Sequence, residues 1–215
     1  MAKKIGILGS GLMGGKLGTL FARAGHEVVF SYARSERKLQ KLARDAKGNA
    51  RAGTPAEAVD DADAVLLAVH WSRVDDVLKQ AGSLSGRILM TCSLPMNAND
   101  TRLVVGHTSS GAEQLAKKAR GAKVVSAFGT VPSEVLFAVY DARRKATRPH
   151  LAFCGNDDHA KKVVASLIRD VGFEPVDAGP LRTARYFEPF ALLVAQVAYE
   201  GKGGPEVAYR FERFT

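Results

Sequence analysis

The sequence predicts an α/β fold built on a doubly wound, mainly parallel sheet. Three observations predict it. Short apolar runs alternate with amphipathic stretches along the 215 residues, the pattern of repeated βαβ units. A glycine-rich hexamer, Gly9-Ser10-Gly11-Leu12-Met13-Gly14, lies between the first apolar run and the first amphipathic stretch. Ala62 to Val69 is an almost unbroken apolar run, as a central strand covered on both faces should be. Together they give a Rossmann-type nucleotide domain over residues 1–128 and a small C-terminal α/β subdomain over residues 129–215. The composition changes little near residue 128, and no flexible linker is visible there.

Lys3 to Leu8 reads as the first strand. Leu17, Leu20, Phe21 and Ala24 recur at helical spacing, and Gly25 ends that helix. Glu27 to Ser31 is the second strand, followed by a charged helix from Ser35 to Ala46. Ala50 to Ala52 is a short third strand, and Thr54-Pro55 caps and starts a short helix. Ala62 to Val69 is the fourth strand, with Ser72 as the cap of the next helix, and Arg87 to Cys92 is the fifth. Ser93 to Thr108 is polar and contains glycine, so it reads as a functional loop. Ser110 and Glu113 have capping-box spacing for a helix to Ala119. Lys123 to Phe128 is the sixth strand, and Pro132 to Tyr140 is helical. His150 to Cys154, a helix capped at Asn156-Asp157 and running to Val171, and the strand Phe173 to Val176 complete the alternation. Leu181 to Tyr199 reads as one long helix, apolar most of the way round, and so buried in the core or in a subunit interface.

The net charge of +9 raises the question of nucleic acid. The basic residues are scattered, aromatics are only 7%, and no nucleic-acid motif is present, so no nucleic-acid partner is expected. No apolar run reaches the ~18–20 residues that span a bilayer. The apolar start at Ile5 is too short for a signal peptide and runs into the glycine turn, so a cytoplasmic location and no membrane partner are expected. Cys92 and Cys154 have no neighbours at metal-ligand spacing and read as buried thiols; no metal is expected.

The hexamer is GxGxxG in the right context, with a strand before it and a helix after it. Gly9 permits the tight turn, Gly11 lets a pyrophosphate approach the backbone, and Gly14 lets the helix pack close to the strand. Helix-start amides and the helix dipole then favour phosphate. An enzyme that prefers NAD carries Asp or Glu about 20 residues past the glycines. Here the second strand ends in Phe30-Ser31-Tyr32-Ala33-Arg34-Ser35, with no acid, and Arg37 and Lys38 follow. A hydroxyl and cations suit a 2′-phosphate. Ser31 and Arg34, assisted by Lys38 or Arg37, are therefore the expected phosphate contacts, and NADP(H) the expected cofactor.

With these residues in hand, the chain resembles the NADPH-dependent reductases of coenzyme F420 and the dinucleotide-binding proteins grouped with them. The resemblance rests on Gly9 to Gly14, Gly25-His26-Glu27-Val28-Val29, Ser31 with its nearby cations, and Val69-His70-Trp71. It continues through Ala127 to Pro132, Cys154 to Asp158, Asp177 to Leu181, Ala184-Arg185 and Glu188-Pro189. It implies a homodimer, NADPH in the glycine-loop cleft, and a flat electron carrier (coenzyme F420 or a flavin) stacked on the nicotinamide. It also implies that Ala68, Val69, His70 and Trp71 stand beside the nicotinamide ribose, with Ser93, Leu94 and Pro95 after the fifth strand. Gly129, Thr130, Val131 and Pro132 would line the substrate side. His70 stands where archaeal members carry proline, and Gly129 where several relatives carry a polar residue.

Of the single residues, His70 is the best placed for proton chemistry, the plainer role being a loop histidine bonded to backbone. Trp71 either stacks on the pocket or packs under the next helix. His26 is expected to cap the end of the first helix, and Arg185 and Glu188 to pair one turn apart. The function expected is an NADPH-dependent reductase of F420, a flavin or another planar acceptor. The alternatives are a non-catalytic NADP(H)-binding regulatory protein, or a reductase of a small imine or carbonyl compound.

Overall fold

The computed structural model describes residues 1–214. In chain order it runs β1 (Lys4–Leu8), α1 (Leu12–Arg23), β2 (Glu27–Ser31), α2 (Glu36–Asp45), β3 (Ala50–Ala52), α3 (Pro55–Val59) and β4 (Ala64–Leu67). A 3-10 turn (Trp71–Arg73) leads into α4 (Val74–Ala81), followed by β5 (Ile88–Thr91), α5 (Gly111–Lys118), β6 (Lys123–Ser126) and α6 (Val135–Asp141). The chain ends with β7 (His150–Gly155), α7 (Asp158–Asp170), β8 (Glu174–Asp177) and α8 (Ala184–Ala195), with a 3-10 turn before α8 and a π turn after it. The strands form one eight-stranded sheet in the order β3-β2-β1-β4-β5-β6-β7-β8. Neighbours are parallel except β6 and β7. This is the doubly wound α/β sheet that the alternation predicts.

Side-chain alternation along the strands builds two cores. Ile5, Ile7, Val28, Phe30, Leu66 and Met90 point to one face, under Leu17, Leu20 and Phe21 of α1, Leu136 and Val139 of α6, and Val164 and Leu167 of α7. Leu8, Val29, Val65, Leu67 and Leu89 point to the other, under α3, α4 and α5. The first core runs from Ile5 to Phe173, so the chain beyond residue 128 extends the same sheet and the same core. Among the described residues, no helix is long and apolar enough to cross a membrane.

Most caps fall where the local chemistry puts them. Ser35, Ser110 and Asp157 each accept an amide of the following first turn, and Thr54 with Glu57 forms a full capping box ahead of α3. Gly25 takes φ +96 just past α1.

The structure corrects four local readings. The cap after β4 is His70 rather than Ser72, because the imidazole accepts from the Ser72 amide. His26 does not cap α1. It is buried, with Nδ1 accepting from the Lys3 amide at 3.1 Å and Nε2 facing Asp170 at 3.1 Å. Burial pushes its pKa below the ordinary 6.5, although Asp170 pulls it upward. Arg185 and Glu188 do not pair. Arg185 makes a bidentate pair with Glu113, at 2.6 and 2.8 Å, and holds its carboxyl below the ordinary range. Finally, the apolar stretch from Leu181 is not one helix, and its Pro189 lies inside α8. Tyr186, Leu193, Val197 and Tyr199 are exposed.

Glu188 docks α8 onto α5. It is 3% exposed, and its two carboxylate oxygens accept from the amides of Gly111 (2.9 Å) and Ala112 (3.1 Å). Those amides begin α5, where a helix leaves N–H groups without partners of its own. Burial pushes the Glu188 pKa up to about 7, against the pull of the two amides. Truncation strands two buried amides and removes the link between α8 and α5. Glu188→Ala should therefore lower the unfolding free energy by about 2 kcal/mol. The measurement is a urea titration; an unchanged midpoint would mean that the contact contributes nothing.

Candidate dinucleotide cleft

A cleft of about 1490 Å³ opens at the carboxyl ends of β1, β2 and β4. The glycine turn forms its floor. Gly9 has φ +110, which glycine adopts freely, and a Cβ there would lie 2.4 Å from the Ala68 carbonyl oxygen. A Cβ on Gly14 would lie 1.9 Å from the Gly9 carbonyl oxygen, so the first turn of α1 packs closer to the turn than any side chain allows. A Cβ on Gly11 would meet nothing within 4 Å. Gly9 and Gly14 are thus required by the turn and its packing, whereas Gly11 leaves open space above it. Ser10 is buried and pins the turn: its hydroxyl donates to the Ser31 carbonyl at 2.9 Å, and its amide to the Tyr32 carbonyl at 3.2 Å.

The mouth of α1 is open to an anion. Gly11 is its N-cap, no side chain caps it, and no acid stands in its first turn. The amides of a helix start and the dipole behind them point at that opening. Leu12 is 71% exposed at the rim. Arg34 and Lys38 line the far end, where β2 runs into α2, and Arg73 stands on the turn after β4. Glu36 and Glu57 also line the cleft, but neither belongs to the segment 30–35 that ends β2.

Of the residues expected to hold the cofactor, Gly9, Ser10, Gly11, Leu12, Arg34, Lys38, Ala68, Val69 and His70 are brought together on the cleft wall. Five are not. Gly14 and Met13 lie behind the turn, Gly14 as the packing contact and Met13 against the core. Ser31 is fully buried, and its hydroxyl donates to the Ile7 carbonyl at 2.7 Å; strand alternation turns it into the sheet, away from any phosphate. Ser93 is buried behind the wall, its hydroxyl donating to Val69 O at 2.8 Å and accepting from the Val69 amide at 3.2 Å. It positions Val69 and does not touch the cleft. Pro95 is buried against Gly111.

The expected substrate side is farther from the cleft. Trp71 is half-buried and packs against the core on the face covered by α3, α4 and α5. Thr130 and Val131 are buried, Thr130 bonding to the Tyr209 hydroxyl at 2.8 Å, and Pro132 is buried beside them. These three do not line the cleft. Gly129 and Leu94 are half-buried neighbours, 3.5 Å apart measured from a Cβ placed on Gly129. The loop after β6 reaches the cleft through Lys16, a lining residue of α1 whose ammonium donates to the Ser133 carbonyl at 3.0 Å.

The sequence reading missed Lys16, Tyr32 and Arg73. Tyr32 follows β2 directly, in a left-handed conformation (φ 55), and its hydroxyl bonds to Asp76 of α4. Burial and that carboxylate push its pKa up to about 12. The signal for Tyr32 was its place, one residue past the strand end. Arg73 gave none, because its approach depends on the 3-10 turn.

Two groups able to exchange protons, His70 and Cys92, are committed to bonds of their own. His70 is bonded at both ring nitrogens. Cys92 donates to the Leu67 carbonyl, and burial pushes its thiol up to about 12. Among the described residues, no three His, Cys, Asp or Glu side chains gather to hold a metal.

Comparison with known proteins agrees with this geometry. Residues 4–95, which carry the glycine turn, the end of β2 and the β4 wall, match the family model "NADP oxidoreductase coenzyme F420-dependent". The F420-dependent NADP reductase of Methanocaldococcus jannaschii is 29% identical over 155 residues, 68% of this chain and 68% of that protein. The metalloreductase STEAP3 of Rattus norvegicus is 30% identical over 191 residues, 89% of this chain. The chain spans only 37% of that protein's length. A crystal structure from Arthrobacter sp. FB24, described as a candidate F420-dependent NADP reductase, superposes with a TM-score of 0.85 at 23% identity, covering 99% of this chain and 100% of that one. At that identity the match shows the shared fold. Through residues 4–95, the chain is thus similar to the family of coenzyme F420-dependent NADP oxidoreductases.

Proposed function

We propose that this chain binds NADP(H) in the cleft and transfers hydride between it and a planar acceptor such as coenzyme F420 or a flavin. One observation carries the reading: an uncapped helix start over an open Gly11, facing a wall with Arg34 and Lys38 and no acid at the end of β2. A pyrophosphate fits the space that a Cβ at residue 11 would enter. A 2′-phosphate fits the two exposed cations, whose bonds to it are charge-assisted. When bound, the nicotinamide ring supplies a carbon that gives or takes hydride.

The chain's own residues bind, orient and wall off that ring. Ser93 fixes Val69, and Val69 with Ala68 forms the wall at the end of β4. No free proton donor faces the cleft from His70 or Cys92. Carbonyl or imine reduction needs a proton as well as hydride, whereas transfer to a flat ring at carbon needs mainly alignment and exclusion of water. That difference favours the planar acceptor.

Four outcomes are expected. Purified protein given NADPH and F420, or flavin mononucleotide, should lose nicotinamide absorbance; no loss with either, nor with quinones or ferric chelates, leaves a protein that binds and does no chemistry. By titration, NADPH should bind more tightly than NADH. Arg34→Ala should weaken NADPH by about tenfold, the worth of one charge-assisted bond, and leave NADH nearly unchanged. Tighter NADH in the wild type would overturn the cofactor assignment. Gly11→Ala should keep the melting temperature, since its Cβ meets nothing, yet lose most cofactor affinity because the methyl occupies the pyrophosphate's approach. Unchanged affinity would place the phosphates elsewhere.

A further inference from the structure

We propose that His70 is a positioning residue that tethers residues 96–104 as a lid on the acceptor side of the cleft. The inference rests on the functional reading above, and on features that this reading does not use. His70 lines the cleft at the end of β4. Its Nδ1 accepts from the Ser72 amide at 3.2 Å and faces the Ser72 hydroxyl at 2.8 Å. An accepting Nδ1 leaves the proton on Nε2. Nε2 reaches across to the segment after β5, 3.2 Å from the Asn97 carbonyl oxygen and 3.1 Å from Asp100 Oδ1.

That segment is held together by its own bonds. Asn97 Oδ1 accepts from the amides of Thr101 (2.8 Å) and Arg102 (3.2 Å), and its Nδ2 donates to the Thr101 hydroxyl. The Val104 amide donates to the Pro95 carbonyl at 2.7 Å, and Met96 bridges Leu103. Asp100 sits at the tip in a left-handed conformation (φ 53). Among the described residues, every hydrogen bond or ion pair that residues 96–104 make beyond 94–104 goes to His70. A compact loop with one polar tether moves as a unit when the tether is cut.

The location gives the tether its use. In open parallel sheets, ligands bind beyond the carboxyl ends of the strands. His70 lies in the turn that follows β4, and residues 96–104 follow β5, the next strand in the sheet. One imidazole therefore touches both the cofactor cleft and the loop beside it. Filling the cleft should fix the imidazole, and a fixed imidazole should hold the loop.

Hydrogen exchange on the full chain, with and without NADPH, tests this without needing turnover. In His70→Ala, the amides of Asn97, Asp100, Thr101, Arg102 and Val104 should exchange about tenfold faster, the effect of one lost hydrogen bond, while β4 and β5 stay within about twofold. NADPH should slow the loop amides in the wild type and not in His70→Ala. His70→Gln, whose amide both accepts and donates, should restore part of the protection. With an acceptor that turns over, His70→Ala should raise the acceptor KM more than it lowers kcat.

Equal loop exchange in wild type and His70→Ala overturns the tether. A wild-type loop that ignores bound NADPH overturns the lid. Collapse of kcat at unchanged KM, without rescue by Gln, makes His70 a proton donor instead. If none of the tested acceptors makes the wild type oxidise NADPH, the hydride-transfer reading fails, and the exchange comparison still decides the tether.

Discussion

The distance between the first turn of α1 and the sheet governs the rest of the structure. A Cβ on residue 14 would stand 1.9 Å from the Gly9 carbonyl oxygen and 3.0 Å from the Ala68 Cβ. Any side chain there lifts the helix start off the β1–β4 floor. With glycine, α1 begins directly above the place where strand order reverses, β2 and β3 lying to one side of β1 and β4 onward to the other. Its free amides then face the crevice that this reversal leaves, where a doubly wound sheet takes its ligand. The same close approach seats Leu17, Leu20 and Phe21 on Ile5 and Ile7. One packing distance thus sets both the core and the direction of the anion site.

How much was legible in the sequence follows from how local each signal is. Strands β1 to β6 could be read because apolar runs bounded by turn residues need no tertiary context. The caps at Ser35, Thr54, Ser110 and Asp157 could be read because a cap spans three residues. Long-range partners could not. Arg185 and Glu188 stand one turn apart, so they read as a pair, but the fold brings α5 against α8 and gives each a partner from α5. His26 read as a helix cap and proved to join the start of β1 to the end of α7. The extent of α8 was overstated because uniform apolarity does not show where helical bonding changes at Gln196.

The site divides along the same line. Gly9, Gly11, Arg34 and Lys38 line the cleft, through backbone shape or through a position past the end of a strand, and Gly14 packs behind the turn. Ser31 fails because it is the last residue inside β2, on the same pleat face as Val29, and its hydroxyl turns to Ile7. Strand alternation alone held that information. Thr130 and Val131 fail for a reason outside their own segment: Tyr209, near the end of the chain, folds back and takes up the Thr130 hydroxyl.

Around the cleft, polar side chains fasten strand ends to one another. Ser10 ties the glycine turn to β2, Ser93 ties the end of β4 to the end of β5, and Lys16 ties α1 to the loop after β6. A hydroxyl with its donor and acceptor capacity spent on backbone has little left for a reacting atom. What such fasteners supply is a wall whose atoms stay in place. That suits a reaction whose difficulty lies in bringing two carbons together in the right orientation, where misplacement by an ångström costs more than the lack of any one acid or base. It also bears on selectivity. A site that works by alignment selects its partner through the shape of its surroundings, and the loop tied to this cleft wall through His70 lies next to it.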